Sequence, residues 1–462
     1  MPFAPVILWT DALLWLLVAA IGAYLWLCAH RPHLAAPWLR VAQSRAAMVS
    51  LTLLAGYAAI GLADSLHFRV ALPAGAAGEA PAYSPQVLSV LDVALSHLRR
   101  SEETTYSAPL ATRLFTLEEV RRPDGSLARE YPRLRYGGAG LADESGWSAD
   151  VARRSLAGFA GALLVWLAIG ALLRPLRRRA PQVPWGAACA TLGAMLALAG
   201  PAFALSLAYH VLGTDKVGQD VLYLSLKSVR TSLVIGTLTT LVMLPFGAML
   251  GVAAGYFKGW VDDLIQYLYT TLNSIPAVLL IAAFVLMMQV YLDGHAAAFP
   301  TAAQRADVRL LLLCVILGVT SWTSLARLLR GEALKLAELE YVQAAHALSV
   351  SHLRILTRHL LPNVAHIIII SLVLDFSGLV LAEVVLSYVG VGVDPSTVSF
   401  GTMINAARLE MAREPVVWWS LTSAFGFLLV LVLAANLLAD AVRDGFDPRV
   451  RVGAAALQGT AR

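Results

Sequence analysis

Long apolar runs alternate with short charged stretches along this chain, and nine of the runs approach or exceed the roughly 20 residues that cross about 30 Å of hydrocarbon as a helix. They lie near residues 12–29, 46–63, 155–173, 185–209, 231–255, 264–291, 309–329, 364–391 and 416–438. In hydrocarbon every backbone N–H and C=O has to be satisfied inside the segment, so the runs predict transmembrane helices. Pro201 and Pro276 fall inside two of them, which a membrane helix tolerates when its neighbours re-satisfy the freed carbonyl. Between the second and third runs, residues 64–154 form the one polar stretch large enough for a small domain, and its turn-rich "RRPDGS" and "RYGGAG" predict an irregular fold of short strands or helices.

Composition agrees with the pattern. The 462 residues are 58% hydrophobic and 14% charged, with a mean hydropathy of +0.69, far from the balance of soluble domains. The net charge of +5 does not imply nucleic acid, because the basic residues cluster beside apolar runs rather than on one polar face. Cys28, Cys189 and Cys314 all sit inside apolar runs without zinc or disulfide spacing, and read as small buried hydrophobes. No basic stretch precedes the first apolar run, and the first charged residue of the chain is Asp11, so the run is expected to stay as a span rather than be cleaved.

Charge also orients the spans, since Lys and Arg in short loops mark the cytoplasmic side. Arg31, Arg40 and Arg45 place the first connection there, and Arg174, Arg177, Arg178 and Arg179 the third. Alternation then puts the N-terminus and residues 64–154 outside. It puts residues 330–363 and the tail with Arg443, Arg449 and Arg451 inside.

One cytoplasmic stretch is unusual. In "YVQAAHALSVSHLRILTRHLLPN", residues 341–363, a helix runs on through "AELEYVQAAHAL"; Ser349 or Ser351 is placed to cap a second short helix, "HLRILTRHL", which Pro362 stops. Ala344, Ala345 and Ala347 give the first helix a small-residue surface that permits close approach by another protein; the plainer reading is an ordinary loop.

That stretch resembles the cytoplasmic loop of ABC importer permeases, where Glu/Gln-Ala-Ala is followed by a glycine four residues after the second Ala and the loop ends in Leu-Pro. Gln343, Ala344, Ala345, Leu361 and Pro362 match, and Ser349 stands at the glycine position. Four more stretches are similar to the C-type permease of dipeptide and oligopeptide importers: "GTDKVGQDVLYLSLKSVRTSLVIG" from Gly213, "GYFKGWVDDLIQYLYTTLNSIPAVLL" from Gly255, "LAEVVLSYVGVGVDPSTVSFGTMINAAR" from Leu381 and "NLLADAVRDGFDPR" from Asn436. The resemblance covers roughly residues 185–450 and implies a six-span core with both ends cytoplasmic, the arrangement that charge assigns independently. It also implies that Tyr341, Gln343, Ala344, Ala345, Ala347, Leu348, Ser349, His359, Leu361 and Pro362 form an ATPase-coupling loop, with Ala345 and Leu348 against the ATPase.

Other polar residues carry weaker signals. Asp375 and Glu383 share one apolar run, eight residues and so about 80° apart on a helix. Such carboxylates either line a pathway or clamp neighbouring spans. His346, His352, His359 and His366 are six or seven residues apart, not the three or four of ligands on one helix face, so no metal site is expected. There is no phosphate-binding G-x-x-x-x-G-K-[ST], no G-x-S-x-G and no H-E-x-x-H, and no catalytic residue is assigned.

The expectation is therefore an all-α integral membrane protein: two N-terminal spans (1–63), an extracytoplasmic insert (64–154), a third extra span with a basic linker (155–180), and a six-span ABC permease core (185–450) carrying the coupling loop 330–363. The extension 1–180 is expected to be separable from the core. The resemblance implies a multi-pass permease of the bacterial inner membrane taking peptide-like solutes. It implies a second permease, two ABC ATPases that hold the ATP and Mg, an extracytoplasmic binding protein and membrane lipid as partners, and no cofactor or nucleic acid on this chain. The rival is a membrane-embedded enzyme with its active site in 64–154, a segment with Asp, Glu, His97 and Tyr residues but no telling spacing. Single cysteines at Gly125 and Gln182 in a cysteine-free background test the orientation. A membrane-impermeant thiol reagent should label Gly125→Cys and not Gln182→Cys from outside, and the reverse would invert the topology.

Overall fold

The computed structural model describes residues 3–72, 83–121, 127–141, 143–295, 299 and 301–446. The "PDGS" part of the first turn signal and Arg449 and Arg451 of the basic tail lie outside them. Among the described residues eighteen α-helices carry the fold: α1 (Trp9–His30), α2 (Pro32–Gln43), α3 (Arg45–Asp64), α4 (Val90–Ala94), α5 (Ser96–Arg100), α6 (Trp147–Leu172), α7 (Arg174–Arg179), α8 (Trp185–Ser206), α9 (Val221–Phe257), α10 (Gly259–Ser274), α11 (Ala277–Gly294), α12 (Ala302–Ser321), α13 (Thr323–Ala337), α14 (Glu340–Ala347), α15 (His352–Ile355), α16 (Leu361–Val389), α17 (Phe400–Glu410) and α18 (Trp419–Phe446). Eight of the described helices are long and apolar enough to span a membrane, or nine if α12 and α13, bent by 41° at Trp322, make one span. The apolar run 264–291 is not one helix. Ile275 is extended and Pro276 opens α11, so the span shifts to Ala277–Gly294 and amphipathic α10 lies outside it. Pro201 is accommodated inside α8.

The chain packs as two units that interleave the extension with the expected core. One comprises Met1–Ile7, Ala42–Ser232 and Pro395–Ala434. Here the N-terminal strand β1 (Phe3–Val6) pairs antiparallel with β2 (His67–Val70), which pairs with β3 (Leu88–Ser89); β4 (Glu118–Arg121) and β5 (Leu127–Glu130) form a separate hairpin. These elements are short, and polar clamps hold them to residues 206–231 and 410–419. Lys227 pairs with Asp92 at 2.8 Å and Asp64 at 3.1 Å. Ser107 N–H donates to the Thr214 hydroxyl at 2.6 Å, and the Trp419 indole donates to Thr214 O at 2.9 Å. Buried Glu103 accepts from the backbone N–H groups of Arg135, Tyr136 and Gly137, and faces His210, whose other ring nitrogen meets Asp220 at 2.8 Å. A Cβ on Gly218, at φ +80°, would lie 1.9 Å from Glu103 O, so only glycine permits this approach. Residues 42–180 of the extension thus group with the segment before α9 and with residues 395–434, while residues 8–41 group with the other unit.

The other unit comprises Leu8–Val41, Leu233–Asp394 and Ala435–Arg462. Asp307 of α12 accepts the N–H groups of Trp9 and Thr10, capping α1 from another helix. Its core gathers α9, α13 and the start of α16 around fully buried Ala254, Leu329, Ala333, Ile355, Leu360 and Val364.

Burial alone would lower the His210 pKa, but Asp220 and Glu103 outweigh it and hold it up at about 9. Burial alone would raise Glu103, and His210 with the three backbone donors hold it down at about 2. The imidazolium's contribution is complete below its unfolded pKa, roughly 6.5, and is lost as pH rises through 9; the Glu103 contribution is complete above roughly 4.5 and lost as pH falls toward 2. Stability of this unit should therefore peak between about pH 4.5 and 6.5 and fall by up to about 3 kcal/mol by pH 9. Hydrogen exchange of residues 101–141 across that range measures it, and His210→Gln should flatten the alkaline limb.

Candidate functional site

The stretch 338–364 forms two short helices, as the sequence predicts, but α13 breaks at Glu338 and Leu339 before α14 instead of running on, and Pro362 does not stop the second helix, which continues through α16 as a span. Helix α14 ends in a turn in which Val350 N–H donates to Ala345 O at 3.1 Å and Ser349 N–H to His346 O at 3.0 Å. This is a Schellman cap, whose left-handed residue is usually glycine. That residue is Ser349, with φ +56°. Of the two readings a serine here allows, a changed turn or a strained one, the backbone keeps the left-handed turn. The end of α16 repeats the cap with Gly390 at φ +88°, through Gly390 N–H to Ser387 O and Val391 N–H to Leu386 O.

Ser351 occupies the position before α15, with no hydrogen bond from its side chain. After α15 the chain widens into a π-turn over Leu356–Leu360 and re-enters α-helix at Leu361, with Pro362 in the first turn where a missing N–H costs nothing. Asn363 ties the two ends together, donating to the Tyr341 hydroxyl at 2.9 Å and to His359 O at 2.6 Å; the Tyr341 and His359 rings lie 6.0 Å apart. Gln343 donates back to Glu338 O at 3.2 Å, and Glu338 pairs with Lys258.

Burial separates the predicted residues into two sets. Ala345 is 8% exposed and packs with Val342, Ile355, Leu360 and Val364 in the chain's own core, so it is not a free surface for another subunit. The small side chain is needed where α14 meets its own body. Tyr341, Gln343, Ala344, Ala347, Leu348, Ser349, Leu361 and Pro362 are exposed and His359 half-buried. Leu348 stands out at 80% exposed, and Leu353, which sequence reasoning missed, at 72%. Leu353 falls off the buried stripe of Ile355, Leu360 and Val364, and that phase break is the signal that marks it. The anchor beneath was also missed: Arg330 of α13 makes two hydrogen bonds to Asp262, at 2.5 and 2.6 Å, holding the Asp262 carboxyl below the usual range.

The other predicted residues lie elsewhere. Glu383 is fully buried in α16 and accepts the Ser387 hydroxyl at 2.6 Å; Ser387 Oγ accepts Val393 N–H at 3.3 Å. That arrangement secures the end of α16 within its own helix and the loop that follows. Asp375 is half-buried one turn before Gly378, apart from this clamp. His346 and His352 stack edge-on at 5.2 Å and His352 meets the Tyr256 hydroxyl at 2.8 Å, while His366 bonds Asn363 O. Among the described residues no group of three or more metal-ligating side chains converges.

Among the described residues, membrane-length helices thus carry an outward-facing helix pair anchored in its own core. The sequence profile of the binding-protein-dependent transport system inner membrane component matches residues 247–452. An oligopeptide transport system permease protein of Mycobacterium tuberculosis is 31% identical over 242 residues, 52% of this chain and 77% of the relative. A glutathione transport system permease protein of Pectobacterium atrosepticum is 31% identical over 52% of this chain and 73% of its own length. A chain from inward-facing structures of the MetNI methionine ABC transporter aligns at a TM-score of 0.38 and 16% identity, over 49% of this chain and 98% of that one. The chain belongs to the binding-protein-dependent transport system inner membrane component family. It is a multi-pass transmembrane permease subunit of an ABC importer and not an enzyme, and the rival reading of an active site in 64–154 finds no support.

Two substitutions test the turn and the packing. Ser349→Gly should raise the stability of the purified chain by up to about 1 kcal/mol, because glycine carries no penalty at this φ. Ala345→Asp should lower it by roughly 3 kcal/mol or more and reduce the amount inserted, since the carboxylate would be buried without a partner. Denaturation midpoints of the two variants against the parent measure both.

Proposed function

We propose that this chain and a second permease form the translocation path of a peptide importer in a bacterial inner membrane, with 1–63, 64–154 and 155–180 as additions to the core 185–450. Residues 330–363 face the cytoplasm and seat an ABC ATPase, one of two that bind ATP and Mg; this chain binds neither. An extracytoplasmic binding protein delivers the solute, and lipid covers the spans. The observation that carries the coupling role is the outward display of Leu348 and Leu353 from a segment whose opposite side is buried in its own core. Two large apolar side chains at 80% and 72% exposure on an ordered polar turn are what a groove on another protein would take up. Ala344, Ala347 and Ser349 keep the surface between them low. Peptide cargo rests on the relatives: oligopeptides and glutathione share the peptide bond and free termini.

Leu348→Asp/Leu353→Asp should leave insertion and thermal stability within about 0.5 kcal/mol of the parent, as exposed sites allow, yet remove at least tenfold of the ATPase co-purifying with the chain. Retention of the ATPase by that double variant would move the docking surface elsewhere. Binding-protein-dependent uptake across a library from dipeptides to hexapeptides tests the cargo, and uptake confined to non-peptide solutes would overturn it.

A further inference from the structure

Helices α6 and α8 pair by backbone contact. A Cβ on Gly158 would lie 2.4 Å from Gly200 O, and one on Gly200 2.5 Å from Gly158 O. Farther along, Trp166 is wedged between them, its indole donating to Cys189 O at 2.7 Å, where Gly193 leaves room for the ring. Two hollows follow one another along this seam. The first, about 190 Å³, is walled by Phe159, Leu163 and Trp166. The second, about 180 Å³, runs from Trp166 past Gly170 and Leu192 to Arg174 and Arg177. No side chain or backbone lies within 4 Å of where a Cβ on Gly170 would be, so the trough is open there.

Its charge is one-sided. The trough is apolar until its end, where two guanidinium groups stand just past the last turn of a membrane-length helix. No Asp or Glu occurs between Asp150 and Asp215, and Arg174 and Arg177 make no ion pair among the described residues. A protein partner would have to supply both an apolar ridge and carboxylates at one spot. An anionic amphiphile supplies both in one molecule, with its head at the depth where the helix leaves the hydrocarbon.

We propose that this trough is a binding site for an anionic phospholipid, one acyl chain lying along Trp166, Gly170 and Leu192 and the phosphate on Arg174 and Arg177. The apolar wall holds the chain and the arginines select the head. Basic residues at a membrane surface each contribute enough that losing two should cost roughly 10- to 30-fold in affinity for the anionic lipid and little for a zwitterionic one.

The test is native mass spectrometry of the full chain in detergent, titrated with palmitoyl-oleoyl phosphatidylglycerol, with phosphatidylcholine of the same chains, and with glycerol phosphate as a head without a tail. Phosphatidylglycerol should be retained at a concentration at least tenfold below that for phosphatidylcholine, and glycerol phosphate should not be retained. Arg174→Gln/Arg177→Gln should bring phosphatidylglycerol to the level of phosphatidylcholine, while Arg174→Lys/Arg177→Lys should stay within about threefold of the parent, since charge rather than fork geometry is required. Gly170→Leu, which fills open space, should weaken both lipids with an unchanged melting temperature. Equal retention of the two lipids, retention of glycerol phosphate, or indifference to the glutamine pair would overturn the proposal. So would cross-linking of Gly170→Cys to a second permease with the lipid displaced, which would assign the trough to a subunit interface.

Discussion

Helices in a bilayer gain nothing from burying apolar side chains against each other in place of lipid, so close backbone approach has to organise them. In the unit built on Leu233–Asp394 that contact is a glycine stripe on α9. Gly247, Gly251 and Gly255 repeat every four residues on one face, and α13 lies against them. A Cβ on Gly251 would sit 2.5 Å from Ala326 O, and one on Gly255 2.6 Å from Arg330 O. No other residue type fits at either position without moving α13. Everything beyond α13 inherits that placement: the Arg330 pair with Asp262, the apolar cluster under α14, and through it the turn at Ser349.

The unit containing the insert solves a different problem. Its strands are two to four residues long and its helices α4 and α5 five each, too short to make a core of their own. Order comes instead from buried charge and hydrogen bonds made to the segment before α9. Asp220 shows the economy of that segment: one oxygen accepts the N–H groups of Leu222 and Tyr223, capping α9, and the other holds His210. Asp215 shapes the turn before it through the N–H groups of Val217 and Gln219. A network in which every member is satisfied rigidifies, and removing one member leaves buried charge without compensation.

The helices were legible because hydrophobic runs of membrane length admit one solution, and the helix pair in residues 338–364 because its cap and small residues carry local physics. Ser349 illustrates the limit within that success: the sequence marks a position that wants positive φ, but not whether serine keeps it. The run 264–291 misled because apolarity continues across Ile275 and Pro276 while the backbone does not. Ala345, which packs in the chain's own core, shows another limit. A small residue permits close approach, and sequence cannot say whether the approaching surface belongs to the chain itself. The clamps of the insert were illegible in principle, since Glu103, His210 and Asp220 meet only after more than a hundred residues of chain have folded.

The π-turn at Leu356–Leu360 gives these pieces a mechanical sense. The extra residue in the turn shifts the phase of the helix, so that Ile355 and Leu360 both point into the core while Leu353 and Arg354 point away. Buried side chains at both ends of a short segment fix it against rotation, and Asn363 closes the loop by bonding Tyr341 and His359 together. Close-packed interiors are stiff, so a displacement imposed at Leu348 and Leu353 cannot be absorbed between them and the cluster beneath. It has to move α13, and the glycine stripe leaves α13 no room to move without α9. A surface loop with these exposures and no core beneath would bend on its own; here the exposed pair stands on a segment packed against α13 and, through the glycine stripe, α9.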